Sequence, residues 1–117
     1  MSKFLFILNE APYGGERTYN ALRLARQMLK AGGHELRIFL MGDAVSATKA
    51  GQKVPQGYYN AGDMLGGVAR AGAEIGVCGT CIDARGIAEG ELVECASRGT
   101  MEILGAWSAW ADKVLVF

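Results

Sequence analysis

Glu74-Ile75-Gly76-Val77-Cys78-Gly79-Thr80-Cys81, with Asp83, Arg85 and Gly86 close behind, is the stretch that decides how this chain is read. The short apolar run Glu74 to Val77 follows a helical pattern that stops at Gly72. The order is helix, strand, then two thiols where the strand gives way to a loop. In open α/β sheets, sites are built at the carboxyl ends of strands. Cys78 and Cys81 are therefore the expected functional centre.

Outward from this stretch, strands and helices alternate. Lys3 to Leu8 is nearly continuous apolar sequence, as in a strand covered on both faces. A helix is predicted from about Glu16 to Ala31, with Tyr19, Leu22, Ala25 and Leu29 at helical spacing and Gly32-Gly33 as its stop. Glu35 to Met41 reads as the second strand, and Ala44 to Ala50 as a short helical turn. Residues 51–60, with Pro55, Gly57 and Tyr58-Tyr59, read as a surface loop. Asn60 caps the next helix, and Asp63 favours its N-terminus. Gly66-Gly67 inside that helix costs on the order of 1 kcal/mol per glycine relative to alanine. The pair points to close contact with another backbone. Residues 86–99 carry no clear pattern: Ile87 and Glu91-Leu92-Val93 fit a short helix, a short strand or neither. A last helix spans about Thr100 to Ala111, Asp112-Lys113 turns the chain, and Val114 to Phe117 is a terminal strand. This alternation predicts a mainly parallel sheet between helices, a three-layer α/β/α architecture.

At 117 residues the chain is expected to form one domain, residues 1–117. Half of its residues are hydrophobic and 21% are charged, which excludes a disordered chain. Lys plus Arg number 12 and Asp plus Glu number 12. The zero net charge argues against a nucleic-acid partner and removes one common guard against self-association. Phe4 to Leu8 falls short of a signal-peptide core of about 7–15 apolar residues. No run approaches the roughly 18 needed to span a membrane. A cytoplasmic location with no membrane partner is expected, and an odd count of three cysteines fits poorly with a disulfide framework.

The thiol pair admits more than one chemistry. A cysteine is a nucleophile only as thiolate, and backbone N–H groups between a strand end and a helix start stabilise that anion. Arg85 is close enough in sequence to add positive charge. Asp83 either caps a turn or holds Arg85 in place. Against this stands the reading of both cysteines as inert buried residues. A zinc site of Cys78, Cys81, Cys95 and His34 has suitable ligand types. It lacks a second close pair, and His34 begins a strand whereas Cys78 ends one, so no metal is expected. The loop Asn9 to Gly15 has neither G-x-G-x-x-G nor a P-loop lysine, and Glu10 and Glu16 would repel phosphate. No cofactor is expected there, and the loop is read as part of the rim around the thiols. Trp107 continues the core stripe of the last helix. Trp110 and the loop pair Tyr58-Tyr59 are read as anchors of a subunit or partner interface.

Four segments taken together resemble the DsrE/DsrF-like family, most closely its small YchN-type branch. They are Asn9-Glu10-Ala11-Pro12-Tyr13-Gly14, Leu40 to Val45 with Gly51-Gln52-Lys53, Cys78 to Gly86, and Ala111 to Phe117. The resemblance implies a five-stranded sheet between helices. It also implies a homo-oligomer, a trimer or a hexamer of stacked trimers. Members linked to sulfur relay carry a cysteine after the third strand that accepts sulfane sulfur as a persulfide, and that position matches Cys78. The expected function is thus a sulfur-relay protein exchanging a persulfide with donor and acceptor proteins, with Cys78, Cys81, Asp83 and Arg85 as site residues. Two alternatives remain at this level: a thiol–disulfide redox protein using Cys78 and Cys81, and a non-catalytic oligomeric binding protein.

Overall fold

The computed structural model describes all 117 residues. Five parallel strands form one sheet: β1 (Ser2–Leu8), β2 (His34–Leu40), β3 (Glu74–Cys78), β4 (Ala96–Gly99) and β5 (Lys113–Val116). Their spatial order is β4-β3-β2-β1-β5. The three-layer α/β/α expectation holds. The fifth strand, β4, lies in the stretch where the sequence is mute. Its Ala96-Ser97-Arg98-Gly99 has no apolar run because β4 is a short edge strand, exposed at Ser97 and Arg98.

Alternation along the strands divides the core in two. On the first face, Phe6, Leu8, Leu36, Ile38, Leu40 and Ile75 pack against helices α1 (Arg17–Ala31) and α2 (Ala61–Arg70). Helix α1 contributes Ala21, Leu22 and Ala25, and α2 contributes Leu65 and Val68. On the second face, Leu5, Phe39 and Val77 meet α3 (Gly79–Ala84) and α4 (Met101–Trp110) through Ile82, Leu104 and Trp107. The expected Asn60 cap forms, and a second cap forms at Thr100. Asn60 Oδ1 accepts the Asp63 N–H at 3.1 Å, and Thr100 Oγ1 accepts the Ile103 N–H at 3.2 Å. Gly32 and Gly33 stop α1 with φ of 80° and 83°.

Three local readings change. The turn after β2 is a 3-10 segment, Gly42–Thr48, starting two residues earlier than the sequence pattern. Lys113 belongs to β5 rather than to the turn before it, because the Asp112 carboxylate and N–H both bond the Lys3 backbone and set the strand's register. Residues 86–95, left without a pattern by the sequence, are tied down. Ile87 is buried, and the Ala50 and Val93 N–H groups bond Glu91 and Thr48 carbonyls, both at 2.7 Å.

Phe39, on the central strand, lies over β3 and β4 because Gly76 and Gly99 carry no side chain. A Cβ on Gly76 would stand 3.0 Å from the Phe39 ring and 3.1 Å from Trp107, and one on Gly99 only 2.7 Å from Phe39. Gly99→Ala is therefore expected to cost about 1–3 kcal/mol through overpacking, read by urea unfolding. Combined with Phe39→Leu, the total should fall below the sum of the two single losses; strict additivity would show that this contact does not govern the packing.

Candidate active site

Cys78 is the last residue of β3, at the carboxyl edge of the sheet beside β2 and β4. Directly after it the chain turns into α3 rather than a loop, and Cys78 caps that helix with its own sulfur. Sγ accepts the Cys81 backbone N–H at 3.4 Å and meets the Thr80 hydroxyl at 3.3 Å. One turn along α3, Cys81 Sγ accepts the Gly42 N–H at 3.3 Å. The Asn9 carbonyl closes on the same Gly42, 3.5 Å from where a Cβ would stand. The first loop thus meets the thiol site at Gly42. Its Glu10 turns away and accepts the Arg17 N–H at 2.8 Å, capping α1.

Burial is the largest single influence on Cys78 and disfavours its anion. Hydrogen bonds from the Cys81 and Thr80 side chains and backbones together outweigh it and lower the thiol below its ordinary pKa. Cys81 moves the other way. Burial raises its pKa first and the bond to Cys78 adds to this, against smaller opposing effects of the Gly42 N–H and Arg85. The two thiols are thus shifted in opposite directions, Cys78 toward its anion and Cys81 toward its protonated form. Cys95 is raised by burial and packs with the first-face core just before β4, at the other end of the sheet. His34 begins β2, also at that amino edge, with its ring edge-on to Phe4 at 5.5 Å. Neither residue comes near Cys78.

The arginine beside Cys78 is one that sequence reasoning missed. Arg98, on β4, pairs in register with Val77. Its guanidinium lies over Gly79, where a Cβ would be 2.6 Å from Cζ. Asp83 holds it by two bonds of 3.0 and 2.8 Å, and Glu89 stands 3.5 Å from Nε. Asp83 thus serves Arg98, not Arg85. Arg85 instead pairs with Asp43 at 2.8 Å and donates to the Cys81 carbonyl at 3.1 Å. Its charge bears on Cys81, whereas Cys78 is among the charges acting on Arg98. Nothing in the sequence marks Arg98 except its place before Gly99, because the residues that join it to Asp83 are fifteen positions apart.

The aromatics also sort themselves. Trp107 is half-buried against Gly76 and Phe39. Trp110 is covered within the chain by Arg37, whose guanidinium lies 4.0 Å from the ring centroid. Tyr59 stacks on Tyr19 at 4.0 Å and donates to the Pro12 carbonyl at 2.6 Å. Of the expected interface anchors, only Tyr58 is left exposed.

With a lowered pKa, Cys78 should react with iodoacetamide below the ordinary thiol value of about 8.5, where Cys81 and Cys95 stay slow. Thr80→Val and Cys81→Ala each remove a donor to the anion, so each should shift the Cys78 rate–pH profile upward. Unmoved profiles would show that these bonds do not hold the thiolate.

Comparison with known proteins places this geometry in a family. A sequence model described as the DsrE/DsrF-like family matches residues 2–117. Protein YchN of Escherichia coli strain K12 is 41% identical over 118 residues, covering 100% of both chains. Uncharacterized protein MJ0989 of Methanocaldococcus jannaschii is 41% identical, covering 98% of this chain and 99% of its own. The crystal structure of the E. coli ychN protein superposes with a TM-score of 0.94 over 100% of both chains. MTH1491 from Methanobacterium thermoautotrophicum, at 12% identity, shares the fold with a TM-score of 0.73 over 97% of each chain.

Proposed function

This chain belongs to the DsrE/DsrF-like family, a family associated with sulfur relay, and we propose that it is a persulfide carrier working through Cys78. The observation that carries the reading is the setting of Cys78 at the carboxyl end of β3, where its Sγ accepts the Cys81 N–H at 3.4 Å and meets the Thr80 hydroxyl at 3.3 Å, bonds that favour its anion. The Cys78 thiolate attacks the outer sulfur of a donor persulfide. The donor's S–S bond breaks, the donor leaves as thiolate, and Cys78 becomes a persulfide. An acceptor thiolate then attacks that outer sulfur and Cys78 leaves as thiolate. Each step exchanges one S–S bond for another, so no oxidant or reductant is consumed. Thr80, Cys81 and the backbone N–H groups stabilise the anions, with Arg98 as the nearby fixed charge, held by Asp83. Arg85 keeps Cys81 in place through its carbonyl. The cytoplasm, a reducing compartment, suits such thiols.

The proximity of Cys78 and Cys81 also supports a second reading, thiol–disulfide exchange. Cys81 would attack the inner sulfur of the Cys78 persulfide, form the disulfide and release hydrosulfide. Intact mass after incubation with a persulfide donor separates the two. The carrier gains one sulfur atom, loses this in Cys78→Ser, and keeps it in Cys81→Ser. Loss of two hydrogens requiring both cysteines would favour the redox protein. No change in mass would overturn both.

We further propose that a second copy of this chain covers α4 and β5, giving a trimer or a hexamer. Helix α4 is apolar on nearly all sides, as in helices that are buried all round. Yet Met101 is 67% exposed and Val116 66%, with Ile103 and Val114 also open. Leu115 and Phe117 turn to the first-face core, so Val114 and Val116 share the side of α4. Met101 stands two residues beyond Gly99, the strand partner of Cys78, so this copy would border the thiol. Light scattering should report an oligomer for the parent and a smaller, folded species for Met101→Glu/Val116→Glu. A monomeric parent would overturn the interface.

A further inference from the structure

On the first face, away from the thiols, α1, α2 and residues 52–60 enclose a groove of about 1320 Å³. The carrier chemistry makes no use of it. Its charge is one-sided in a chain of zero net charge. Arg23, Arg26 and Lys30 line it from α1, Lys53 from the loop and Arg70 from α2, against Asp63 as the one carboxylate. None of these five cations is in an ion pair, whereas Arg37, Lys49, Arg85 and Arg98 all are. Uncompensated cations around a concave, low-dielectric surface focus an attraction for anions.

The arrangement limits what that anion is. From Arg23 to Lys30 the α1 cations extend along roughly 10 Å of helix, at 1.5 Å per residue, which calls for a chain of anionic groups rather than one. Arg23 is held over the Tyr19 ring at 5.4 Å and bonds Asn20 at 3.1 Å. Tyr58, 71% exposed, offers an uncovered aromatic face among these charges. Both walls are helices whose backbone groups are bonded internally, so an extended acidic peptide finds no strand edge to join.

The glycines of α2 explain themselves here. Gly66-Gly67 meets no foreign backbone, contrary to the expectation from sequence. Instead Arg70 folds back over the pair, with Nη1 3.2 Å from a Cβ on Gly66 and Nη2 4.0 Å from one on Gly67. Gly67 thus has room for a side chain and a helix position that favours one. Its emptiness keeps that wall of the groove open.

We propose that this groove binds a nucleoside polyphosphate, with the phosphate chain along the α1 cations and Arg70 and the base against Tyr58. Guanidinium–phosphate bonding and stacking of a base on an aromatic side chain are the interactions such a site supplies. The test is isothermal titration of the full-length protein with ATP, tripolyphosphate, a ten-nucleotide single strand and polyglutamate. ATP should bind with a dissociation constant below about 1 mM and more tightly than tripolyphosphate. Tyr58→Ala should reduce ATP to the level of tripolyphosphate. Arg26→Glu/Lys30→Glu, at exposed positions, should weaken ATP at least tenfold. Gly67→Leu should do the same while raising the melting temperature, because it fills the groove with a better helix former. Absence of ATP binding, or binding unmoved by these variants, would overturn the site. So would the single strand or polyglutamate binding more than tenfold tighter than ATP, by identifying a strand or an acidic protein as the occupant.

Discussion

The contact between the Phe39 ring and the bare backbones of Gly76 and Gly99 organises the second face of the sheet. A ring of this size can lie across two neighbouring strands only where both omit their side chains. That placement gives Trp107 its seat, edge-on to Phe39 at 6.0 Å, and so sets where α4 crosses the sheet. It also bears on the pairing of β4 with β3, because Gly99 is the residue opposite Cys78. With β4 in that register, Arg98 stands opposite Val77 and reaches over Gly79. The thiol's surroundings are thus set from a ring one strand away.

The site itself uses little net charge. Arg98 is neutralised by Asp83 and Glu89, and Arg85 by Asp43. What favours the Cys78 anion is directional: two side-chain donors and two backbone donors gathered at the start of α3. Such donors cost nothing to reorient when the sulfur gains or loses an atom, provided the helix holds them in place. The fixed ion pairs appear to the sulfur as scaffolding around the short helix, tying α3 to β4 and to the 3-10 segment after β2.

Much of this was legible from residue order. The apolar runs of β1, β2 and β3, the glycine stops and the Asn60 cap are local signals, and the structure follows them. The thiol pair was marked as well, because a strand end is visible in sequence. What stayed hidden was set by distance along the chain. β4 is an edge strand with two exposed residues of four and needs no apolar pattern. Arg98 gains its meaning only through Gly79 and Asp83. Arg85, the nearer arginine in sequence, points to Asp43, forty-two positions away. Trp110, read as an outward anchor, is covered by Arg37, 73 residues earlier in the chain.

The pairing of β5 with β1 has a consequence for how the molecule forms. Phe4 is matched with Lys113 and Ile7 with Val116, residues 109 apart in sequence. Every other strand of the sheet can add to an existing neighbour as the chain lengthens, in the order β1, β2, β3, β4. The outer edge of β1 stays open until Lys113–Val116 arrives, and the Asn9 N–H, bonded to the Phe117 carbonyl at 2.9 Å, waits for it too. Closing so long a loop is slow compared with local contacts. During synthesis the thiol turn at the end of β3 can thus be complete while β1 still has one edge unpaired, and open strand edges of this kind are where partly folded chains associate.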